Sequence, residues 1–224
     1  MRDGRVVRAV LLDLYDTLVW TEWPKLRELI EDRAGLSRAD LVAAFDRTRA
    51  ERSVGAFGSM EGDFRAVLQD AGVEGADERA ASLADLATGF LEDGVHLWED
   101  SVPVLRELRS RGIGTAVVSN CDHGTRPVVE RLGLADETDA VVLSFEAGVA
   151  KPDAGIYRIA LDALGARADE AVFVDDQARY CDGAAALGIA TFIALRHEGA
   201  PGVGVGEPGG HAVLRDLLSL LDVV

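Results

Sequence analysis

The sequence predicts an α/β protein in which helices cover both faces of a parallel sheet, with a block of helices inserted after the first strand. The first observation is that beyond about residue 100 short apolar strands alternate with helices, which is typical of βαβ units. The second is that one earlier strand is separated from these units by residues 21–94, which read as almost entirely helical. A doubly wound core with an inserted helical cap explains both.

The predicted strands are runs of β-branched and apolar residues that stop at a polar residue or a turn. They cover residues 6–14, 113–119, 140–143, 171–175 and 190–194. Helices are predicted between the later strands, over residues 102–111, 125–132, 153–164 and 178–187. Right-handed crossovers would place these helices on both faces of the sheet. We assign the segments that contain the strands and these helices, residues 1–19 and 96–224, to the core.

The inserted block, residues 20–95, is predicted to be a cap of four helices over residues 24–34, 37–52, 60–71 and 77–92. Ser37 and Asp77 are expected to cap two of them, and Gly35 and Gly72 to end two. Past the last strand, residues 198–210 are rich in Gly and Pro and predict a mobile loop. Residues 211–221 predict a final helix.

The composition limits the kinds of molecule that the protein is expected to bind. A net charge of −16 leaves no basic excess to neutralise phosphates, so nucleic acid and anionic membrane surfaces are excluded as partners. We find neither a signal peptide nor an apolar run long enough to cross a membrane. Cys121 and Cys181 form no C-x-x-C pair and are expected to be buried thiols. We therefore expect a cytoplasmic monomer or homodimer that acts on a small-molecule substrate.

Polar residues stand where four of the predicted elements meet the carboxyl edge of the sheet, the edge at which open α/β sheets bind ligands. They are Asp13, Ser119-Asn120, Lys151 and Asp175-Asp176. Each alone is ordinary turn or cap chemistry. Together they supply a carboxylate nucleophile, a hydroxyl group, a cation and a carboxylate pair that needs a cation to offset its repulsion.

Four segments carry a family resemblance: LLDLYDTLV, VVSN, VAKPDAGIY and FVDDQARYCDGAAALG. In order and spacing they resemble the four motifs of haloacid dehalogenase (HAD) superfamily hydrolases, in the subclass with a helical cap after the first strand. The similarity covers residues 9–192. It implies an α/β fold with a doubly wound parallel-sheet, Rossmann-like core and an inserted α-helical cap.

The resemblance also implies a role for each motif residue. Asp13 is implied as the nucleophile that forms a covalent intermediate, and Lys151 as the group that steadies its charge. Mg²⁺ is the implied cofactor, held by Asp13, by Asp176 with Asp175, and by the backbone carbonyl of Tyr15. The implied substrate contacts are Thr17, Ser119, Asn120 and Tyr15.

One position departs from the phosphatases of that superfamily, which usually carry an acid/base Asp two residues after the nucleophile. Here Tyr15 stands at that position, as it does in the true 2-haloacid dehalogenases, and Tyr157 also fits the dehalogenase form of its motif. We expect the side chain of Asp16 to point elsewhere. Asp175-Asp176, by contrast, resembles the metal-binding form found in phosphatases.

Three functions therefore stay open. The first is Mg²⁺-dependent hydrolysis of a small phosphorylated metabolite. The second is hydrolysis of a carbon–halogen bond, with a cap arginine for the substrate carboxylate; Arg47, Arg49 and Arg52 are available, although each is expected on a solvated helix face. The third is a low-turnover binding or regulatory protein.

A few other residues carry minor expectations. Trp20, Trp23 and Trp98 flank the insertion and are expected to pack where cap and core join. Tyr180 and Asp182 lie close to the later acidic position of the last motif, and neither is expected to bind metal. His123 is expected at the surface.

Overall fold

The computed structural model describes residues 6–196 and 209–224. Its strands are β1 (Ala9–Leu12), β2 (Val19–Thr21), β3 (Val95–Leu97), β4 (Gly114–Ser119), β5 (Ala140–Leu143), β6 (Ala171–Asp175), β7 (Ala190–Ala194) and β8 (Ala212–Leu214). Its helices are α1 (Trp23–Ala34), α2 (Arg38–Ser53), α3 (Met60–Asp70), α4 (Ala76–Asp93), α5 (Ser101–Ser110), α6 (Thr125–Arg131), α7 (Leu134–Glu137), α8 (Ser144–Ala147), α9 (Ala154–Leu164) and α10 (Ala178–Ala185). Two 3₁₀ turns cover Ala168–Glu170 and Leu218–Asp222.

The main sheet has six parallel strands in the order β5-β4-β1-β6-β7-β8. This confirms the predicted α/β, Rossmann-like class. The first strand lies in the middle of the sheet, where Leu12 pairs with Val117 of β4 and with Val174 of β6. Consequently the residues that follow β1, β4 and β6 come together at one edge of the sheet.

Helices cover both faces of the sheet. Because alternate residues of a strand point to opposite faces, each strand contributes to two apolar clusters. In β1, Val10 and Leu12 belong to one apolar cluster, whereas Ala9 and Leu11 belong to the other. The first cluster includes residues of α5 and α6, and the second includes residues of α9 and α10. The central strands are therefore continuous apolar runs, which is the pattern the sequence shows.

The inserted helices α1 to α4 enclose an apolar core of their own, in which Leu41, Leu68 and Leu83 are buried. They are joined to the sheet through a two-stranded antiparallel ribbon of β2 and β3. On this ribbon the ring of Trp20 stacks on His96, with 4.3 Å between ring centroids. Among the described residues, no helix is long and apolar enough to cross a lipid bilayer.

Local predictions had mixed outcomes. Ser37 does cap α2, accepting a hydrogen bond from the backbone N–H of Asp40, and Gly35 ends α1 in the left-handed conformation. The cap assigned to Asp77 is wrong, because α4 begins at Ala76 after Gly75. Residues 198–208 of the predicted loop lie outside the described residues.

The final helix predicted over residues 211–221 is also wrong. Ala212–Leu214 forms the edge strand β8 beside β7, and only Leu218–Asp222 is helical, as a 3₁₀ turn. The turn between them is fixed by a tertiary contact, in which the backbone N–H of Leu217 donates to Asp100 Oδ2 at 2.8 Å. Sheet pairing and this contact outweigh the local helix propensity.

Candidate active site

A buried lysine joins two carboxylates at the carboxyl edge of the sheet. Lys151 Nζ lies 2.6 Å from Asp13 Oδ1 and 2.6 Å from Asp175 Oδ2. Asp13 directly follows β1, and its backbone N–H donates to the carbonyl of Val174 at 2.9 Å. Asp175 ends β6, so the parallel pairing of two adjacent strands sets the separation of these carboxylates.

The loop that carries Lys151 is held by Asn120. The Asn120 side-chain amide donates to the Lys151 carbonyl at 2.8 Å and accepts from the Lys151 N–H at 2.7 Å. Burial alone would lower the pKa of Lys151, but Asp13 and Asp175 outweigh it and raise that pKa above its ordinary value. Lys151 is therefore a fixed positive charge rather than a proton donor.

Three buried carboxylates converge here: Asp13, Asp175 and Asp176 each offer an oxygen, all within 4.8 Å of one another. Burial raises the pKa of Asp13 to about 7 against the opposing charge of Lys151. Burial, and next the charge of Asp13, raises the pKa of Asp176 to about 7. Burial also raises the pKa of Asp175 to about 6. One ammonium group does not compensate three such carboxylates.

This donor set fits a hard divalent cation, because carboxylate oxygens are the ligands that Mg²⁺ prefers. The three carboxylates do not contribute equally, however. Asp175 accepts from Lys151 through Oδ2 and from the Gln177 N–H through Oδ1, at 2.8 Å. Asp13 and Asp176 are therefore the better ligands, and Asp175 orients the lysine.

Two of the predicted substrate contacts have buried hydroxyl groups without a partner. Thr17 Oγ1 and Ser119 Oγ have no hydrogen-bond partner among the residues the structure describes. Both side chains are almost fully buried, at 0% and 1% exposure. Since a buried hydroxyl without a partner is costly, a ligand oxygen is the expected acceptor for Ser119, which lines the cavity of Asp13; Thr17 is not part of that wall.

Tyr15 stands two residues after Asp13, and its side chain contacts α6 of the core and α1 of the inserted helices. Its hydroxyl lies 3.1 Å from Thr125 Oγ1, and its ring lies 5.2 Å from that of Trp23. Burial raises the pKa of Tyr15 above its ordinary value, so the phenol stays neutral and is a poor base.

The neighbouring Asp16 contradicts its prediction. It lines the same cavity as Asp13, and its charge contributes to the raised pKa of Asp176. Its backbone is left-handed, with φ of 59°, a conformation that Asp tolerates better than most residues. The side chain therefore stays at the site instead of pointing elsewhere.

Comparison with known proteins decides the family. The family model for haloacid dehalogenase-like hydrolases matches residues 7–188. The chain belongs to this family. Phosphoglycolate phosphatase of Rhodospirillum rubrum is 31% identical over 222 residues, covering 96% of this chain and 90% of that protein. Phosphoserine phosphatase of Thermus thermophilus is 36% identical over 115 residues, which is 50% of this chain but only 45% of that protein.

Solved structures with the same fold include dehalogenases and a phosphatase. L-2-haloacid dehalogenase from Xanthobacter autotrophicus aligns with a TM-score of 0.69 at 20% identity, covering 97% of this chain and 98% of that one. A HAD phosphatase from Thermococcus onnurineus aligns with a TM-score of 0.64 at 20% identity, covering 97% of each chain. At this identity the likeness shows the shared fold alone.

The three arginines proposed for an anion behave differently in this HAD-like hydrolase. Arg47 pairs with Asp70 at 2.6 Å and Arg49 pairs with Asp46 at 2.5 Å, both on exposed faces as expected. Arg52 contradicts the expectation, since it is only 8% exposed.

Arg52 is held on several sides. Its guanidinium donates to Thr48 Oγ1 at 3.1 Å and to the carbonyl of Phe45 at 2.9 Å. The third nitrogen lies 3.9 Å from Asp122 Oδ2, so the group braces the inserted helices and reaches the loop after β4.

Other expected residues have structural roles. Tyr157 is fully buried and donates to the carbonyl of Tyr180 at 2.7 Å, and the Tyr180 ring lies 4.9 Å from Lys151 Nζ. Cys121 and Cys181 are buried free thiols, as predicted. The surface position expected of His123 is wrong, because its Nδ1 lies 2.8 Å from Oδ2 of the buried Asp63.

The hydrolase also has a bracing ion pair that sequence reasoning missed. Arg196 makes a bidentate pair with Asp100 at 2.7 Å and donates to the carbonyl of Thr17 at 3.0 Å. Its guanidinium also lies over the ring of Trp98, 5.1 Å from the centroid. Asp100 and Arg196 are 96 positions apart with no motif around either, so no sequence signal pairs them.

Proposed function

We propose that the protein hydrolyses small phosphate monoesters with Mg²⁺, using Asp13 as the nucleophile. The observation that carries this proposal is the excess of buried carboxylate at the site, with three acidic side chains around one lysine. The negative charge of this site would repel an anionic phosphate, and a bound divalent cation would offset that charge. The phosphatases among the curated relatives support the same chemistry.

Each side chain then has a defined task. A carboxylate oxygen of Asp13 bonds to phosphorus as the ester P–O bond breaks, and Lys151 holds the other oxygen in place. Thr17 and Ser119 donate to the phosphoryl oxygens, and Asn120 positions Lys151 through its backbone. Water then attacks the acyl phosphate, which releases inorganic phosphate and restores Asp13.

The cofactor would be held by Asp13, Asp176 and the Tyr15 carbonyl, and when bound it supplies positive charge to the phosphoryl oxygens. Asp175 contributes by orienting Lys151. Tyr15 forms a wall of the cavity beside the substrate and moves no proton, so the leaving oxygen takes its proton from water.

We further propose that residues 20–95 form a cap that closes over the core made of residues 1–19 and 96–224. Cross-contacts support this division, since Asp63 of α3 meets His123 of the loop after β4. The two buried free thiols support a reducing, cytoplasmic location. A monomer or a homodimer is proposed for the assembly.

Carbon–halogen hydrolysis by Asp13 is the second candidate, and Tyr15 favours it because a halide leaving group needs no proton. The same carboxylate would bond to carbon and expel the halide. In this reaction the excess negative charge at Asp176 has no evident use. That mismatch ranks it below phosphate hydrolysis.

One panel assay tests both candidates. Phosphate monoesters and 2-haloacids are each supplied with Mg²⁺ and with EDTA, and phosphate and halide are measured. Phosphate release that requires Mg²⁺ is expected, and Asp13→Asn should abolish it. Halide release in EDTA would establish the second candidate, and absence of turnover throughout would favour a binding protein.

A further inference from the structure

A second cavity adjoins the catalytic one. The cavity that contains Asp13 and Lys151 has a volume of about 620 Å³. Its neighbour, of about 450 Å³, lies among the inserted helices. The two share wall residues from both parts of the chain: Tyr15, Asp46, Arg49, Ser53, Asn120 and Gln177. The two cavities therefore adjoin at these side chains, beside the site of Asp13.

The second cavity is walled chiefly by apolar side chains, and α1 to α4 each contribute at least one. They include Trp23, Leu26, Ile30, Phe45, Phe64 and Leu91. Three of them lie in loose aromatic contacts, with the Phe45 and Phe64 rings edge to face at 6.2 Å and Trp23 tilted against Tyr15. A surface of this kind binds an apolar group, because water on it is readily displaced.

Five charged side chains line this cavity, and four of them form two ion pairs, Arg49 with Asp46 and Arg52 with Asp122; the fifth is Arg27. Arg52 also donates to Thr48 and to the Phe45 carbonyl. Cys121 also reaches the wall, and burial raises the pKa of this thiol to about 12, so it is a neutral, weakly polar contact. The wall is therefore mainly apolar, with the guanidinium of Arg27 as a further charged group in it.

We propose that the substrates are phosphate monoesters whose alcohol portion carries an extended alkyl or aryl group, and that this group occupies the second cavity. The inference rests on the proposed phosphatase function and adds the substrate class. A protein cavity of about 150 Å³ is enough to take up benzene. At about 450 Å³ this cavity has room for a group larger than one aromatic ring.

A homologous series of substrates tests the proposal. Ethyl, butyl, hexyl and octyl phosphate present the same reacting group and differ only in apolar length. Burial of each methylene should raise kcat/KM about fourfold until the cavity is filled. Binding of the same esters to the Asp13→Asn variant, measured by calorimetry, should show the same gradient without any turnover.

Two surface substitutions locate the effect. Val42 on α2 lines the second cavity and is 40% exposed. Leu29 on α1 is 39% exposed and is not part of that wall. Val42→Asn should lower the ratio of kcat/KM for octyl phosphate to kcat/KM for ethyl phosphate at least threefold. The matched control Leu29→Asn should leave the whole series unchanged.

The outcomes separate this inference from the proposed function. Turnover of every ester with no dependence on chain length would overturn the inference and leave the phosphatase intact. Absence of turnover together with a length-dependent affinity would overturn the phosphatase and retain the apolar cavity. Equal affinity of the Asp13→Asn variant for ethyl and octyl phosphate would overturn the inference whatever the turnover.

Discussion

The ammonium group of Lys151 lies 2.6 Å from a carboxylate oxygen of Asp13, and both side chains are buried. The lysine is shared with Asp175 at the same distance, so one cation balances two adjacent carboxylates while Asp176 stands beside them. This arrangement holds Asp13 in place and leaves negative charge that a divalent cation would offset.

Replacing Lys151 should destabilise the protein. In Lys151→Met the buried Asp13 and Asp175 lose their counter-charge, which is expected to cost about 3–5 kcal/mol of unfolding free energy. Urea unfolding at pH 8 in EDTA measures the loss. Lys25→Met is the matched control, since Lys25 is exposed and pairs only at the surface with Glu22. An equal effect of the two substitutions would contradict the account.

Asp176 should control the response to Mg²⁺ and to pH. Burial raises the pKa of Asp176 to about 7, so the folded protein binds this proton more tightly than the unfolded chain does. Stability of the metal-free protein should therefore decline as the pH rises from about 4 to about 7. Asp176→Asn removes the charge, and we expect the metal-free Tm at pH 8 to rise by several degrees.

The same Asp176→Asn variant should lose most of the stabilisation that Mg²⁺ gives the parent protein. Thermal unfolding with Mg²⁺ and with EDTA checks this. Asp85→Asn, at an exposed position of α4, is the control and should behave like the parent in both buffers. An undiminished Mg²⁺ shift in Asp176→Asn would remove that carboxylate from the metal site.

The bidentate pair of Arg196 and Asp100 should resist conservative change. Lysine cannot supply two parallel hydrogen bonds and a third to the Thr17 carbonyl, so Arg196→Lys is expected to cost about 1–3 kcal/mol. Arg167 pairs with Asp169 in the same bidentate way, but its side chain is 71% exposed. Arg167→Lys should cost less than about 1 kcal/mol. Chemical unfolding of both variants decides the comparison.

The contact between Asp63 and His123 should couple the inserted helices to the core. A double-mutant cycle with Asp63→Ala and His123→Ala is expected to give an interaction energy of about 0.5–3 kcal/mol, because the two side chains meet at 2.8 Å in a largely buried position. Urea unfolding of the four proteins measures it. If the two substitutions change the unfolding free energy additively, the contact does not couple the inserted helices to the core.

The parts of the fold that follow from local pattern were predictable. Strands such as Ala171–Asp175 are continuous apolar runs that end at an aspartate, a pattern typical of a strand buried in a parallel sheet. The ribbon of Val19–Thr21 and Val95–Leu97 was missed, because three-residue strands far apart in sequence carry no periodic signal. Residues 211–221 failed for a related reason, since a neighbouring strand decides their conformation.

The candidate site was predictable as a set of residue types but not as a set of contacts. Sequence order alone indicates that Asp13, Lys151 and Asp175 meet at one edge. It does not indicate that Asn120 is engaged by the Lys151 backbone, because such bonds depend on the path of a loop. The second cavity is also invisible in sequence, since its wall combines residues of four helices with residues of the core that meet only in the folded chain.

The most direct test of the account is to trap the covalent intermediate on Asp13. The protein is acid-quenched while it turns over a phosphate monoester, and its peptides are examined by mass spectrometry. With Mg²⁺ we expect one phosphoryl group on the peptide that contains Asp13, no adduct in EDTA, and neither adduct nor phosphate release in Asp13→Asn. Phosphate release by Asp13→Asn at the parent rate, or a phosphoryl group on another residue, would contradict the central claim.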